Sequence, residues 1–448
     1  MPVGASGLPY AGPERFVAAG GESGSRAPFL LTMGAYHGTL AATRCLGANA
    51  IPVVIADPAL FAPARWSRFA TGRLFCPPVR QKERFVRWLL DFGRRHPGHV
   101  LYPTSDDVAW IFALHRAELA TDFHLYQPPV EVIYQLLNKR RLLQACAEVG
   151  IDTPQTWFPR DATALRRLET ELSYPVLIKP QTQILYWPHA KGMVAKSREE
   201  LSPTYKHLLQ QAAYEPALLA YDPEVAQLMV QAYFPGAADS IYNLSGFIDE
   251  TGELFAIRAS RKVLQRPRQL GVGLCFEEAA AAPVLADKLR ALCRRVGYHG
   301  VFEVEFIEEG GRAMLIDFNP RFYGQMAFDV ARDLPLPLMV YEAALGRRHQ
   351  LRAAVQKAGE EVATEPRGRV YCNRLEFHLL LRLERLAGNL ASSDVARWKT
   401  WLREHSGAIT DGTLDPEDRG PAFAHLTAEV LQYLRHPRSL IRQLSSWK

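Results

Sequence analysis

Polar and apolar residues alternate with period two along residues 301–307 (VFEVEFI) and 314–319 (MLIDFN), on either side of Gly310-Gly311. Alternation broken by a glycine pair predicts a β-hairpin. Phe302, Val304 and Phe306 fall on one face of the first strand, and Val301, Glu303, Glu305 and Ile307 on the other. On the second strand, Met314, Ile316 and Phe318 share a face opposite Leu315, Asp317 and Asn319. A wet outer face accounts equally well for Glu303 alone. It does not account for Asp317-Phe318-Asn319-Pro320-Arg321, where an acid, an amide and a cation take successive same-face positions and Pro320 ends the strand. Two carboxylates ~4 Å apart repel by about 4 kcal/mol at an effective dielectric near 20. A bound dication removes that cost, and all-oxygen donors suit Mg²⁺. For Glu305 and Asp317 to share a face, the loop must hold an odd number of residues, such as 309–311; a plain Gly-Gly turn puts them on opposite faces.

The rest of the chain reads as mixed α and β. A strand at 29–33, a glycine turn (Gly34, Gly38), an amphipathic helix and a strand at 51–56 predict a βαβ unit in an open parallel sheet. The turn, GAYHG, lacks the full dinucleotide-binding glycine spacing. VLYPTSDDVAWI predicts a later strand that delivers Thr104 to Asp107 at its carboxyl end, where parallel sheets hold ligands. Asp106 or Asp107 there is a candidate for a substrate amine, or else a helix N-cap. Residues 130–148 have helical periodicity around Asn138-Lys139-Arg140, and ELSYPVLIKP is a buried strand with Lys179 at its exit. IYNLSGFIDETGELFAIRASRKVLQ predicts a second hairpin, whose returning strand carries Arg258, Arg261 and Lys262. An amphipathic helix follows at 283–296. Residues 350–367 read as a polar linker, and 375–386, 398–404 and 426–448 as helices.

Composition narrows the classes. The chain has 448 residues, 48% hydrophobic and 22% charged, enough for two to four ordinary globular domains. Its net charge of +6 comes without a basic run interleaved with aromatics, which argues against nucleic acid as a partner. Six scattered cysteines form no CxxC pair, the pattern of reduced core thiols in a cytoplasmic protein. No apolar run reaches the ~20 residues of a membrane span. Residues 1–27 are rich in Gly, Ala, Ser and Pro, which predicts a disordered tail.

Glu305, the twelve-residue step to Asp317 and the D-x-N-x-R string together resemble the metal-binding end of the ATP-grasp superfamily, and GRAMLIDFNPRFYG is most like its carboxylate–amine ligases. The resemblance runs roughly from Leu30 to Gly346. It implies an α/β chain: a Rossmann-like domain at 28–130, a two-subdomain ATP-grasp fold at 131–346 divided near 225, and a helical region at 347–448. It implies ATP and Mg²⁺ (Mn²⁺ as the alternative), with Glu305, Asp317 and Asn319 on the metal. Lys139 and Lys179 would meet the α- and β-phosphates, and Lys191 the γ-phosphate. The lid departs from the family: QTQILYWPHAKGM keeps only Gly192 among bulky residues. Gln231, Ala232, Tyr233 and Phe234 would form the adenine hinge, with Gln231 in place of the usual acid and Asp239 near the ribose. Lys262 and Arg261, on a segment like one that faces the acyl phosphate, would join Arg321 as catalytic cations; Arg268, with Asp106 and Asp107, would contact substrate.

The function implied is an ATP-dependent ligation of a small carboxylate to an amine through an acyl phosphate, at least one substrate being an amino acid. Carboxyphosphate chemistry and a non-catalytic nucleotide-binding module are the alternatives, and a homodimer is compatible with either.

Overall fold

A computed structural model of the chain describes residues 26–187, 192–239, 241–266, 271–360, 366–386, 388 and 390–435. Five parallel strands open the fold in the order Gly72–Leu74, Val53–Ala56, Phe29–Thr32, His99–Leu101 and Phe123–Leu125. Phe29–Thr32 and Val53–Ala56 are buried on both faces, which is why they read as unbroken apolar runs. Leu30, Val54 and Leu101 pack into one core with Phe85, Leu89 and Trp110. Phe29, Leu31, Val53 and Ile55 pack into another, which also takes in Phe322, Met326 and Met339 from much later in the chain. The first domain thereby shares a core with the end of the acidic hairpin.

A four-stranded antiparallel sheet follows, in the order Thr156–Trp157, Leu228–Ala232, Val176–Pro180, Met193–Ala195. A seven-stranded sheet carries the hairpin: Arg312–Asn319, Gly300–Glu309, Ile241–Ile248, Phe255–Arg266, Val272–Ala279, Val370–Cys372 and Ile409–Thr410. Its last two strands lie in the C-terminal region expected to be helical, which therefore extends the sheet as well as supplying helices. Residues 350–360, expected to be linker, belong to the helix Arg348–Glu360. Leu351, Val355 and Ala358 are its buried stripe, an i, i+4, i+7 pattern that the surrounding polar residues masked.

Residues 130–148 are two helices, Val130–Leu137 and Lys139–Glu148, broken at Asn138. The Asn138 side chain accepts a bond from the Arg141 N–H and so caps the second helix. It also donates to the Tyr134 hydroxyl at 3.1 Å. The break makes Lys139 the first residue of a helix, with its own N–H on the Gln181 carbonyl at 2.7 Å.

The acidic hairpin turns on two residues. Glu309 pairs with Arg312, and Gly310 and Gly311 have φ of 56° and 77°, the positive angles of a tight hairpin turn. The odd-numbered loop expected from the sequence is absent, yet Glu305 still faces Asp317. A one-residue register shift resolves the conflict: Phe306 pairs with Leu315 and Glu305 with Asp317, leaving Ile316 as a bulge. Leu315 consequently sits on the core face with Phe306, Val304 and Phe318, and not on the face of Asp317 as simple alternation gives.

Gly311→Ala should lower the thermal midpoint, because an alanine at φ 77° costs roughly 1 kcal/mol. Gly324→Ala, where a Cβ meets nothing within 4 Å, should not. Equal midpoints for the two variants would contradict the turn geometry.

Candidate active site

The hairpin's polar face continues across the large sheet. Asp317, Glu305, Asn243 and Ser260 lie in one cross-strand row, and Asn319, Glu303, Ser245 and Arg258 in the next. Lysines close the acidic end. Lys262, with a side chain only 3% exposed, places Nζ 2.6 Å from Glu305 Oε1. Lys139 reaches across from the start of its helix to pair with Asp317 Oδ1. Two ammonium groups thus offset the repulsion between the facing carboxylates.

Asn319 and Arg321 tie this row to the first domain. Asn319 donates from Nδ2 to Glu303 Oε2 at 2.6 Å and accepts at Oδ1 from Arg321 Nη2 at 2.7 Å. Arg321 Nε donates to Asp106 Oδ1 at 2.6 Å. Burial works against the Arg321 charge, but Asp106 and then Glu303 and Asp317 more than offset it, so the guanidinium is held above its usual pKa. Glu303 also accepts from Gln325 Nε2 at 3.0 Å. Burial, and secondarily the Glu305 carboxylate, push Glu303 up to about 8. Neither Glu303 nor Gln325 stood among the expected site residues; a glutamate in phase with Glu305 was the signal for the first.

The two aspartates at the strand end divide their roles. Ser105, not either aspartate, caps the helix Asp106–Leu114, accepting from the Val108 N–H at 3.2 Å. Asp106 pairs with Arg321. Asp107 accepts from the Leu185 N–H at 2.7 Å, and burial raises its pKa to about 6.

Some expected residues are not brought to this face. Arg261 is adjacent to Lys262 on the strand and points the opposite way, pairing with Glu308 and lying over the Tyr242 ring. Period-2 alternation allows only one of two neighbouring residues into the site. Gln231 is 4% exposed and donates to Thr156 Oγ1 at 2.9 Å, and the Ala232 N–H is taken by the Gln155 carbonyl. These two groups of the expected hinge are therefore internal to the sheet; Tyr233 and Phe234, past the strand end, are half-buried. Lys179 is partly buried at the exit of its strand, and a Cβ on Gly192 would lie 3.0 Å from Lys179 Cβ, so the lid strand packs directly on it. Asp239 falls in the turn Pro235–Asp239. Lys191 and Arg268 lie outside the described residues.

The donor set fits a hard dication: the Glu305 and Asp317 carboxylates face each other, with the Asn319 amide oxygen in the adjoining row. Asn243, fully buried beside Glu305, has an Oδ1 without a hydrogen-bond partner, a further oxygen on the same face.

The mixed α/β fold is one that solved structures share. No protein-family model matches the chain. D-aspartate ligase from Enterococcus faecium (strain Aus0004) is 21% identical over 288 residues, 60% of this chain and 65% of that protein, so the chain spans just under two thirds of this relative. The biotin carboxylase domain of 2-oxoglutarate carboxylase from Hydrogenobacter thermophilus superposes with a TM-score of 0.56 at 16% identity, over 72% of this chain and 70% of that one. L-amino acid ligase from Bacillus licheniformis does so with a TM-score of 0.53 at 12% identity, over 72% and 75%. Among the described residues, no helix is long and apolar enough to cross a membrane.

The Asp107 shift makes a pH prediction. Its native pKa of about 6 lies above the ~3.9 of an unfolded aspartate. The native state then binds more protons than the unfolded state between those values, so Asp107 lowers stability as pH rises through that window. Asp107→Asn, which keeps the acceptor for Leu185, should gain on the order of 1 kcal/mol relative to wild type between pH 4 and 7, read by denaturant unfolding at each pH. A difference that stays flat with pH would refute the shift.

Proposed function

We propose that the chain is an ATP-dependent carboxylate–amine ligase that takes small-molecule substrates, at least one of them an amino acid. The observation that carries this reading is the pair of facing acids, Glu305 and Asp317, each matched by a lysine from a different segment. A site of this composition suits phosphoryl transfer, where positioning and charge neutralisation supply most of the rate and no protein nucleophile is required. The curated relative is named a D-aspartate ligase and one structural neighbour an L-amino acid ligase, which agrees with amide-forming chemistry.

In this reading the triphosphate lies between the two sheets, with Lys139 and Lys179 at its phosphates. Glu305, Asp317 and Asn319 would hold Mg²⁺, which supplies charge neutralisation of the phosphate oxygens when bound. Lys262 and Arg321 hold the transferring phosphoryl group, Arg321 kept in place by Asp106 and Asn319. The substrate carboxylate attacks the γ-phosphorus, giving an acyl phosphate and ADP; the amine then attacks the acyl carbon and phosphate leaves. Tyr36, exposed near Asp107 and Arg321, stands where the acceptor would approach.

The test is phosphate release from ATP and Mg²⁺ across a panel of amino acids and small carboxylates. Release should require both an acid and an amine. Asp317→Asn and Lys262→Ala should each reduce it by roughly 10²-fold or more while thermal melting stays cooperative. Release driven by bicarbonate alone, or an active Asp317→Asn enzyme, would overturn the proposal.

A further inference from the structure

A second cluster of chemistry-bearing side chains lies away from the hairpin. His37 opens the helix His37–Ala48 of the first domain, Glu376 lies in the first turn of Arg374–Leu386, and His425 is in Gly420–Arg435. Nearly four hundred residues of chain separate His37 from His425, yet their rings lie 5.9 Å apart. His37 Nε2 is 3.7 Å and His425 Nε2 3.9 Å from the same carboxylate oxygen, Glu376 Oε1. All three ligand atoms fall within 4.8 Å of one another, and the side chains are only 14–21% exposed.

We propose that His37, Glu376 and His425 bind one Zn²⁺ ion, which fastens the C-terminal segment onto the first domain. Neither histidine bonds the carboxylate directly. Distances of 3.7 and 3.9 Å are too long for N–H···O bonds, whose range is about 2.7–3.2 Å. A tetrahedral ion with ligands at ~2.0–2.1 Å sets ligand atoms about 3.3 Å apart, so the two edges to Glu376 need close by only about half an ångström. Two imidazoles and a carboxylate are a common zinc set, and they suit Mg²⁺ or Ca²⁺ poorly. Asn373, 1% exposed, donates from Nδ2 both to Glu376 Oε1 and to His37 Nε2 at 3.1 Å, so it bridges two of the ligand atoms, and the bond to His37 would be given up when the ion takes that nitrogen's lone pair. Burial lowers the His37 pKa, leaving the imidazole neutral as a metal ligand must be.

The location gives the ion its purpose. Asp418, 2% exposed, already joins the same two parts of the chain through Arg44 Nε at 2.9 Å, Ser67 Oγ at 2.8 Å and the Arg68 N–H at 2.8 Å. Zinc at His37 would add a second anchor one residue from Tyr36, at the edge of the candidate active site.

The full chain, stripped with EDTA and dialysed, is titrated with ZnCl₂ by calorimetry and with CoCl₂ by visible absorption. One saturable equivalent should bind, with the d–d bands of a tetrahedral nitrogen–oxygen site, and the thermal midpoint should rise. His425→Asn and His37→Asn should each weaken Zn²⁺ by at least about tenfold and abolish the rise in midpoint while leaving the melting of the metal-free protein unchanged. Asp317→Asn should retain the site in full, which separates it from the hairpin acids. No saturable Zn²⁺ binding, wild-type binding by both histidine variants, or loss of binding in Asp317→Asn would each overturn the proposal; should one histidine variant fail to fold, the affinity of the other decides between these outcomes.

Discussion

Mutual repulsion between two carboxylates governs this molecule. Glu305 and Asp317 stand opposite each other on hydrogen-bonded strands, an arrangement that costs several kcal/mol unless positive charge meets it. Lys262 comes from the same sheet, two strands away from Glu305, and is almost wholly buried, so its charge is fixed in place by packing. Lys139 comes from another part of the chain, at a helix start set by the Asn138 cap. The acids therefore draw separate segments of the chain together.

The first domain contributes to this arrangement without supplying an acid to the pair. Val301 N–H donates to the Tyr102 hydroxyl at 2.7 Å, and a Cβ on Gly300 would come within 2.5 Å of that oxygen. Glycine at 300 is what lets the two strand ends approach. Three residues after Tyr102 the chain turns into the helix that carries Asp106, the partner of Arg321. Both ends of the hairpin are thus pinned to the carboxyl edge of the parallel sheet, and a shift of that edge would move Arg321 relative to Lys262.

Local patterns with a single periodicity were legible in the sequence. The helix at 283–296, the second hairpin and the acids of the first all follow from spacing and turn residues within short windows. Features that depend on one residue out of phase were not. The bulge at Ile316 reverses the face parity given by the Gly-Gly turn, and nothing in IDFN marks which residue will be skipped. Asn138 interrupts a helix with a residue that helices tolerate, so only its cap bond reveals the break. The strand Val370–Cys372 is three residues long, and its pairing partner lies some hundred residues earlier, beyond any local signal. The placement of Arg261 was legible in principle: a strand containing both Arg261 and Lys262 cannot send both to one face.

Charge balance in the acidic row falls on Glu303. Glu303, Glu305 and Asp317 set three acids against the ammonium groups of Lys139 and Lys262, while Arg321 and Asp106 neutralise each other. Fully ionised, the row carries one negative charge in a buried setting, and burial together with Glu305 assigns the missing proton to Glu303. Its carboxyl stays anchored in either state, because Asn319 and Gln325 hold both of its oxygens.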